Sequence, residues 1–416
     1  MEVKLPYGKE HINVEIADEK LLGVYYPNIV EKVKYEQTLE RELEDKNFLK
    51  FTETNEKIVF IVNDGTRPTP TAKIMKALYS KVKNKDIFFI IATGVHRETT
   101  EEEYEYIFGK EIYNDLKKQN RIHCHDARKD EMVYLGKSKN GTEMYINKIV
   151  ANAKKVVVIG SVEPHYFAGY TGGRKGFLPG VAAFKTIEQN HSLALNREAK
   201  ALNLKGNPVH EDMMDAMKVL KDIDVFAIMT VLDKDHDIYA ITTGDLQESF
   251  YEAIEKADEV FCVDIPQKAE IVISAAPYPM DIDLYQSQKA IDNGKLALKE
   301  GGILIMVSQC RTGIGEEAFF ELMAGSEKAE DVLKKIKENY KLGYHKAGKM
   351  AEINTWAEMW GVTELDDELI KKVHIRPFSD IKVALEEAIK IKGEDAKIIV
   401  LPYGSMTIPK EKIEKR

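Results

Sequence analysis

At 416 residues the chain is longer than one hydrophobic core serves well, so two domains are expected. Its 44% hydrophobic and 31% charged residues are those of a folded globular protein, which excludes a disordered or fibrous one. A formal net charge of −9 leaves no general electrostatic footprint for nucleic acid or an anionic membrane, so any bound anion must meet a local basic pocket.

Three cysteines, Cys124, Cys262 and Cys310, are odd in number and widely spaced, which argues against a disulfide framework or a thiolate zinc site. The first eight residues lack the basic start and apolar core of a secretion signal. The strongest apolar run, 87–92, is too short to span a bilayer. A cytoplasmic protein is therefore expected.

In chain order, residues 3–16 alternate around a turn at Pro6 to Lys9 and predict a hairpin. The run 57–62 is almost wholly apolar, is followed by the polar loop NDGTRPTP at 63–70, and then by a helical stretch at 72–82. Residues 86–92 form a second such run, entering TGVHR at 93–97, and 155–160 form a third, entering SVEPH at 161–165. Apolar runs that alternate with helices predict parallel strands covered on both faces. In such sheets ligands bind beyond the carboxyl ends of the strands, so these three loops point to one crevice.

Asn140-Gly141 predicts a hairpin between 132–137 and 143–146. Strands are predicted at 225–232, 238–242 and 260–265, with a helix at 246–257 before the last of them. Pro266 to Lys268 is the expected hinge. The rhythm then restarts with a strand at 271–275, a helix at 285–299, a strand at 303–307, a long helical region at 316–360 and a last strand at 398–402. The expected fold class is thus α/β, with two domains of mostly parallel sheet and a cleft between them. One covers 1–265, with 396–416 available to complete it, and the other covers 269–395.

The segment EPHYFAGYTGGRKGFLPG at 163–180 holds five glycines around Arg174 and Lys175. Glycines let backbone N–H groups approach an anion, and the neighbouring cations supply charge. It is neither a Walker A loop nor G-x-G-x-x-G, and a surface loop is the plain alternative. A helix is expected at 181–191, with Val181, Phe184 and Ile187 as its buried stripe and His191 on the same face. His191 is either a core or capping histidine or a nitrogen ligand for a late transition metal.

Arg67 suits two-point binding of a carboxylate or phosphate, with Asp64 placed to orient it; a structural Asp-Arg pair is the alternative. His96 and His165 occupy equivalent places past two strands and suggest an acid/base pair. His123 and His125 in HCHD share one face of a strand, but no further ligands stand at metal spacing, so ordinary edge-strand polarity is expected. GIGEEA at 313–318 fits G-x-G-x-x-A without a convincing acidic partner. Gln286 and Lys289 share a helix face, either solvated or turned to a ligand.

Together these segments resemble the lactate racemase family that uses a nickel-pincer nucleotide. The resemblance rests on DGTRPTP at 64–70, GVHR at 94–97, 163–175, QNH at 189–191, and Tyr285-Gln286 with Lys289, in the family's order. It implies a cofactor, Ni(II) pyridinium-3,5-bisthiocarboxylic acid mononucleotide, covalently attached to Lys175, with His191 as the protein ligand of nickel. It also implies Asp64, Thr66, Gly172, Gly173 and Arg174 as cofactor-binding residues. His96 and His165 become the two acid/base groups; Arg67, Gln286 and Lys289 hold the substrate carboxylate, with Tyr285 beside it. Either Trp356 or Trp360 lies near the cofactor. The implied activity is racemisation of lactate or a related 2-hydroxyacid by hydride transfer, and the implied partners are that small substrate and the enzymes that make the cofactor. Two readings compete: a nicotinamide-dependent 2-hydroxyacid dehydrogenase using 313–318 and His165, and a non-catalytic hydroxyacid- or nucleotide-binding protein.

Overall fold

The computed structural model describes residues 1–412, so the last four positions of the 396–416 segment lie outside it. The chain divides into two units, Ile29–Val260, and Met1–Asn28 together with the chain from Phe261 on.

In Ile29–Val260, six strands stand in the order Ile238–Gly244, Asp224–Leu232, Lys155–Ser161, Ile58–Asn63, Ile87–Ala92 and Ile122–Cys124. All run parallel except Ile238–Gly244, a return from its neighbour. The central strands are apolar end to end because both faces are covered, the pattern expected of a parallel sheet. The helix Thr71–Val82 buries Ile74, Met75, Leu78, Tyr79 and Val82 on one stripe. That stripe joins a core in which the Phe60 and Phe89 rings stack at 4.7 Å. From Ile58–Asn63 the chain winds outward to the edge and then returns to Lys155–Ser161 on the other flank. The order therefore reverses between two adjacent strands, which is where doubly wound sheets open a crevice. The Asn140-Gly141 hairpin forms as expected, between Met132–Lys137 and Glu143–Asn147.

The second unit is a six-stranded, wholly parallel sheet in the order Arg376–Phe378, Glu358–Val362, Leu298–Val307, Ala269–Ala275, Ile398–Leu401 and Leu21–Val24. The division expected at 265/269 is corrected in two respects. The opening hairpin, Glu2–Tyr7 with Glu10–Glu15, buries Val3, Leu5 and Val14 in this core, not in the core of its sequence neighbours. Leu21–Val24 and Ile398–Leu401 pair with each other in this same sheet, so the C-terminal strand completes the second unit. The helix expected to reach residue 299 ends at Gly294, where a Cβ would meet Leu304 and Ser274 of the sheet beneath. The long helical region resolves into Glu317–Ala324, Ala329–Glu338 and Tyr344–Asn354, separated at Gly325 and Gly343, before the strand Glu358–Val362. Among the described residues no helix is long and apolar enough to cross a membrane.

Candidate active site

The loops after Lys155–Ser161, Ile58–Asn63 and Ile87–Ala92 leave neighbouring strands on one edge of the Ile29–Val260 sheet and are tied to one another. The Gly94 N–H donates to the Gly180 carbonyl at 2.9 Å, and the Thr69 and Ser161 hydroxyls pair at 2.9 Å. These ties hold the predicted residues in place before any ligand arrives.

Asp64 follows the strand Ile58–Asn63 and is 5% exposed. Its Oδ1 accepts from the Thr66 N–H at 3.1 Å and the Thr66 hydroxyl at 2.6 Å, while Oδ2 meets His96 Nδ1 at 2.6 Å. Burial would raise this carboxyl, but hydrogen bonds from His96 and Thr66 and the charge of Arg67 outweigh it and hold the group below the usual carboxylate range. The ionised Asp64 therefore takes the proton of His96 on Nδ1, leaving the Nε2 lone pair free on a ring that is 37% exposed. The sequence suggested Asp64 as the orienter of Arg67; both its oxygens serve Thr66 and His96 instead. Arg67 stands exposed, and its guanidinium has no ion pair or hydrogen bond among the described residues.

Past the strand Lys155–Ser161, Pro164–His165 pairs antiparallel with Gly169–Tyr170, a tight hairpin with Phe167 near its tip. The Phe167 ring is buried, and three of the predicted residues touch it. His165 meets it edge-on at 4.5 Å, His191 at 5.1 Å, and the Lys175 amine lies 5.5 Å from its centroid. Desolvation first, and then the Arg174 and Arg67 cations, push the Lys175 amine well below the ordinary lysine value, with Glu163 opposing. Desolvation and the charges of Lys175, Arg67, His191 and Arg174 likewise keep His165 neutral. His191 sits in the last turn of the helix Phe184–Ser192. That helix begins three residues later than expected, because 177–182 form tight turns and Val181 precedes it.

Two expected anion contacts are corrected. Arg174 is 1% exposed, donating to the carbonyls of Ala168 at 2.7 Å and of Thr171 and Gly172 at 3.3 Å, with its guanidinium 4.3 Å over the Phe250 ring. It pins the loop from within, and burial lowers it to about 9. Gly172 (φ +78) and Gly173 (φ +52) have left-handed backbones, and a Cβ there would meet Val162 and Ser161, or the Phe250 ring. The Gly173 N–H points at the Met229 sulfur at 3.2 Å. Packing, not ligand approach, accounts for these two glycines.

Tyr285, Gln286 and Lys289 lie on the helix Leu284–Gly294 of the other unit. Lys289 is exposed, with its amine 3.5 Å from the Met280 sulfur; the Gln286 N–H is capped by Asp283 at 2.6 Å. The Tyr285 ring lies under the Lys346 amine at 3.5 Å, and burial with Glu316 and Asp283 lifts its phenol to about 12. Trp360 is 1% exposed, stacked on Phe378 in the core, so only Trp356 is open to a ligand. In HCHD, His123 pairs with Asp130 at 2.8 Å on the edge strand Ile122–Cys124, whereas His125 lies past the strand's end, buried on the Ala182 carbonyl at 3.0 Å. At 313–318 a Cβ on Gly315 would lie 2.9 Å from the Asp283 carboxyl carbon, an acidic neighbour where a dinucleotide would need its pyrophosphate. Phe167, the shared contact of His165, His191 and Lys175, was not singled out in the sequence, where one aromatic inside a glycine-rich loop carries no signal.

Comparison with known proteins agrees with this architecture. The lactate racemase N-terminal domain model matches residues 7–203, and the C-terminal domain model matches 263–408. A lactate racemase of Thermoanaerobacterium thermosaccharolyticum is 31% identical over 99% of both chains, and one of Lactiplantibacillus plantarum 30% identical over 98% of this chain and 99% of its own. The solved lactate racemase apoprotein of T. thermosaccharolyticum superposes with a TM-score of 0.90 at 31% identity, covering 99% of this chain and all of that one. A Thermotoga maritima protein shares the fold alone, with a TM-score of 0.67 at 14% identity over 92% of this chain and all of its own. The chain belongs to the lactate racemase family and is an isomerase of the racemase kind.

Proposed function

We propose that this enzyme interconverts the D and L forms of lactate, a 2-hydroxycarboxylate, using a nickel-pincer nucleotide. The observation that carries the reading is the convergence on Phe167 of two imidazoles and an amine pushed well below the ordinary lysine value, beside an exposed, unpaired guanidinium. The donor set suits the group. A lysine whose amine loses its proton more readily, as Lys175 does, is a nucleophile fit for covalent attachment, and the imidazole of His191 is a good ligand for a late transition metal. Asp64 and Thr66 then shape the cofactor's surroundings, and Arg174 holds the loop from within and adds charge. When bound, the cofactor supplies a reversible acceptor for the C2 hydrogen with its electron pair, which spares an already ionised carboxylate a second negative charge.

The chain supplies the remainder. Arg67 binds the carboxylate in two-point fashion and keeps the planar 2-oxo acid from leaving, with Tyr285, Gln286 and Lys289 as further carboxylate-binding groups. His96 and His165 attend the hydroxyl. Asp64 orients His96 so that a bare Nε2 faces outward to take the hydroxyl proton.

The test is a chiral assay with lactate on enzyme from cells that also express the cofactor-making proteins, which we propose as its partners in maturation. Interconversion without added nicotinamide is expected, together with a mass increment on the chain that Lys175→Ala abolishes. Full activity in Lys175→Ala would refute the tether. An incremented chain that leaves lactate unchanged but racemises another hydroxyacid would move the substrate assignment.

A further inference from the structure

The run GIGEEA at 313–318 lies against the helix Leu284–Gly294, which carries Tyr285, Gln286 and Lys289. A helix leaves the N–H groups of its first turn without partners of its own. Here the first three all have one. Leu284 donates to the Gly313 carbonyl at 3.1 Å, Tyr285 to the Ile314 carbonyl at 3.0 Å, and Gln286 to Asp283 Oδ1 at 2.6 Å. Ahead of the helix, the Thr312 N–H and hydroxyl both reach the Ile282 carbonyl at 2.8 Å, and the Arg311 N–H reaches that of Asp281 at 3.3 Å. These bonds fix how the helix is rotated. Leu284, Ser287, Gln288 and Ile291 are buried, while Gln286 is half-buried and Lys289 exposed. Rotation by one residue, about 100°, would exchange buried and open positions. Gly315 completes the contact. Its backbone is left-handed (φ +99), and a Cβ on it would come within 2.8 Å of Tyr285 Cβ and 2.9 Å of the Asp283 carboxyl carbon. Gly313 shares the left-handed backbone (φ +104), but a Cβ there would meet nothing within 4 Å. Phe319 meets the Tyr285 ring edge-on at 5.7 Å, and the Lys346 amine donates to the Tyr285 carbonyl at 2.8 Å.

We propose that residues 311–319 are the seat of the substrate-binding helix, with Gly315 and Asp283 as positioning residues that set where Gln286 and Lys289 offer their side chains to the substrate carboxylate. This rests on the racemase reading above and adds to it residues that act only through others. Gly315 acts by having no side chain, which lets the first turn of the helix close onto the seat. Asp283 acts by holding the Gln286 N–H. A methyl group at 315 would meet Tyr285 at its Cβ, close to the backbone, where no rotamer change relieves the overlap. The first turn would then have to shift, carrying Gln286 and Lys289 with it. The carboxylate bears the same charge in the hydroxyacid and in the 2-oxo acid, so its contacts are alike in the ground and transition states. Displacing them should therefore weaken binding without slowing the bound reaction.

The experiment has two arms. The first measures KM and kcat of cofactor-loaded variants on the hydroxyacid that the wild type racemises. Gly315→Ala should raise KM about tenfold, as for one lost hydrogen bond to a charged group, and leave kcat within about threefold of wild type. Gly313→Ala carries the same backbone penalty without the contact, so its KM should stay within about threefold of wild type. Asp283→Ala should behave as Gly315→Ala does, and Asp283→Asn should restore KM, because asparagine caps a helix as well as aspartate. The second arm follows hydrogen exchange by mass spectrometry on a peptide spanning 284–294 in protein without cofactor. Exchange should be faster in Gly315→Ala and Asp283→Ala than in Gly313→Ala. A KM for Gly315→Ala no higher than that of Gly313→Ala, a kcat that falls while KM holds, or equal exchange in the two glycine variants would overturn the proposal. Should Gly315→Ala fail to fold, the two Asp283 variants decide: equal KM values overturn it, and rescue by asparagine supports it. If loaded wild-type enzyme racemises no hydroxyacid, the functional reading fails instead, and the exchange arm still judges the seat.

Discussion

His210 provides a sharp test of the electrostatics inside the Ile29–Val260 unit. It is 4% exposed on the helix Pro208–Val219, stacked on Phe250 at 6.3 Å, with Nδ1 buried and without a partner. Burial, and then the Arg174 cation across the same ring, lower its imidazole from 6.5 to about 3. A histidine whose pKa is lower folded than unfolded binds protons preferentially in the unfolded chain, so its penalty is absent above the unfolded value and grows as pH falls toward the folded one. From these two values the unit loses about 2 kcal/mol between about pH 7.5 and pH 5, and about 5 kcal/mol in full by about pH 3. The loss at about pH 5 depends almost wholly on the unfolded value and changes little if the folded one is a unit higher.

His210→Phe should remove that part of the pH dependence, whatever it does to absolute stability. Hydrogen exchange read by mass spectrometry on peptides from Asp224–Leu232 reports on the right unit. Both tryptophans, Trp356 and Trp360, lie in the other, so their fluorescence is an internal control that the substitution should leave unchanged. Equal destabilisation of wild type and variant between these pH values would refute the assignment of a buried, neutral His210.

Three further outcomes are expected. Asp64→Asn should lower kcat of the loaded enzyme by about 10²- to 10⁴-fold with little change in KM, because an amide can offer Nδ1 of His96 a donor and displace its proton to Nε2; unchanged kcat would remove Asp64 from the mechanism. Phe167→Ala should cost about 3–5 kcal/mol of unfolding free energy, measured in urea, and weaken nickel-cofactor retention, since one ring contacts His165, His191 and Lys175. At neutral pH an amine-selective acylating reagent should modify Lys175 faster than surface lysines, as peptide mapping would show, because its depressed pKa raises the fraction of free amine; a labelling rate no greater than that of exposed Lys221 would contradict that shift.

The strands 58–63, 87–92 and 155–161 and the loops after them were legible from residue order alone. A strand buried on both faces must be apolar throughout, and glycine, proline, histidine and arginine massed at its carboxyl end have no packing role of that kind. That the loops carrying His96 and His165 leave one edge of the sheet was legible for the same reason, since sheet topology brings strand ends together whatever lies between them. Partners chosen by side-chain direction were not. Asp64 could have served Arg67 three positions on, and only the folded loop turns its carboxylate to a histidine 32 residues away. Arg174 reads as an anion ligand until burial spends its donors on carbonyls of its own loop. The opening hairpin could not declare its core, because an alternating strand records only that one face is buried and not against what. Periodicity and turn chemistry are local and survive in the sequence; which groups meet, which nitrogen holds a proton and which cation is desolvated depend on long-range packing, and only the tertiary structure decides them.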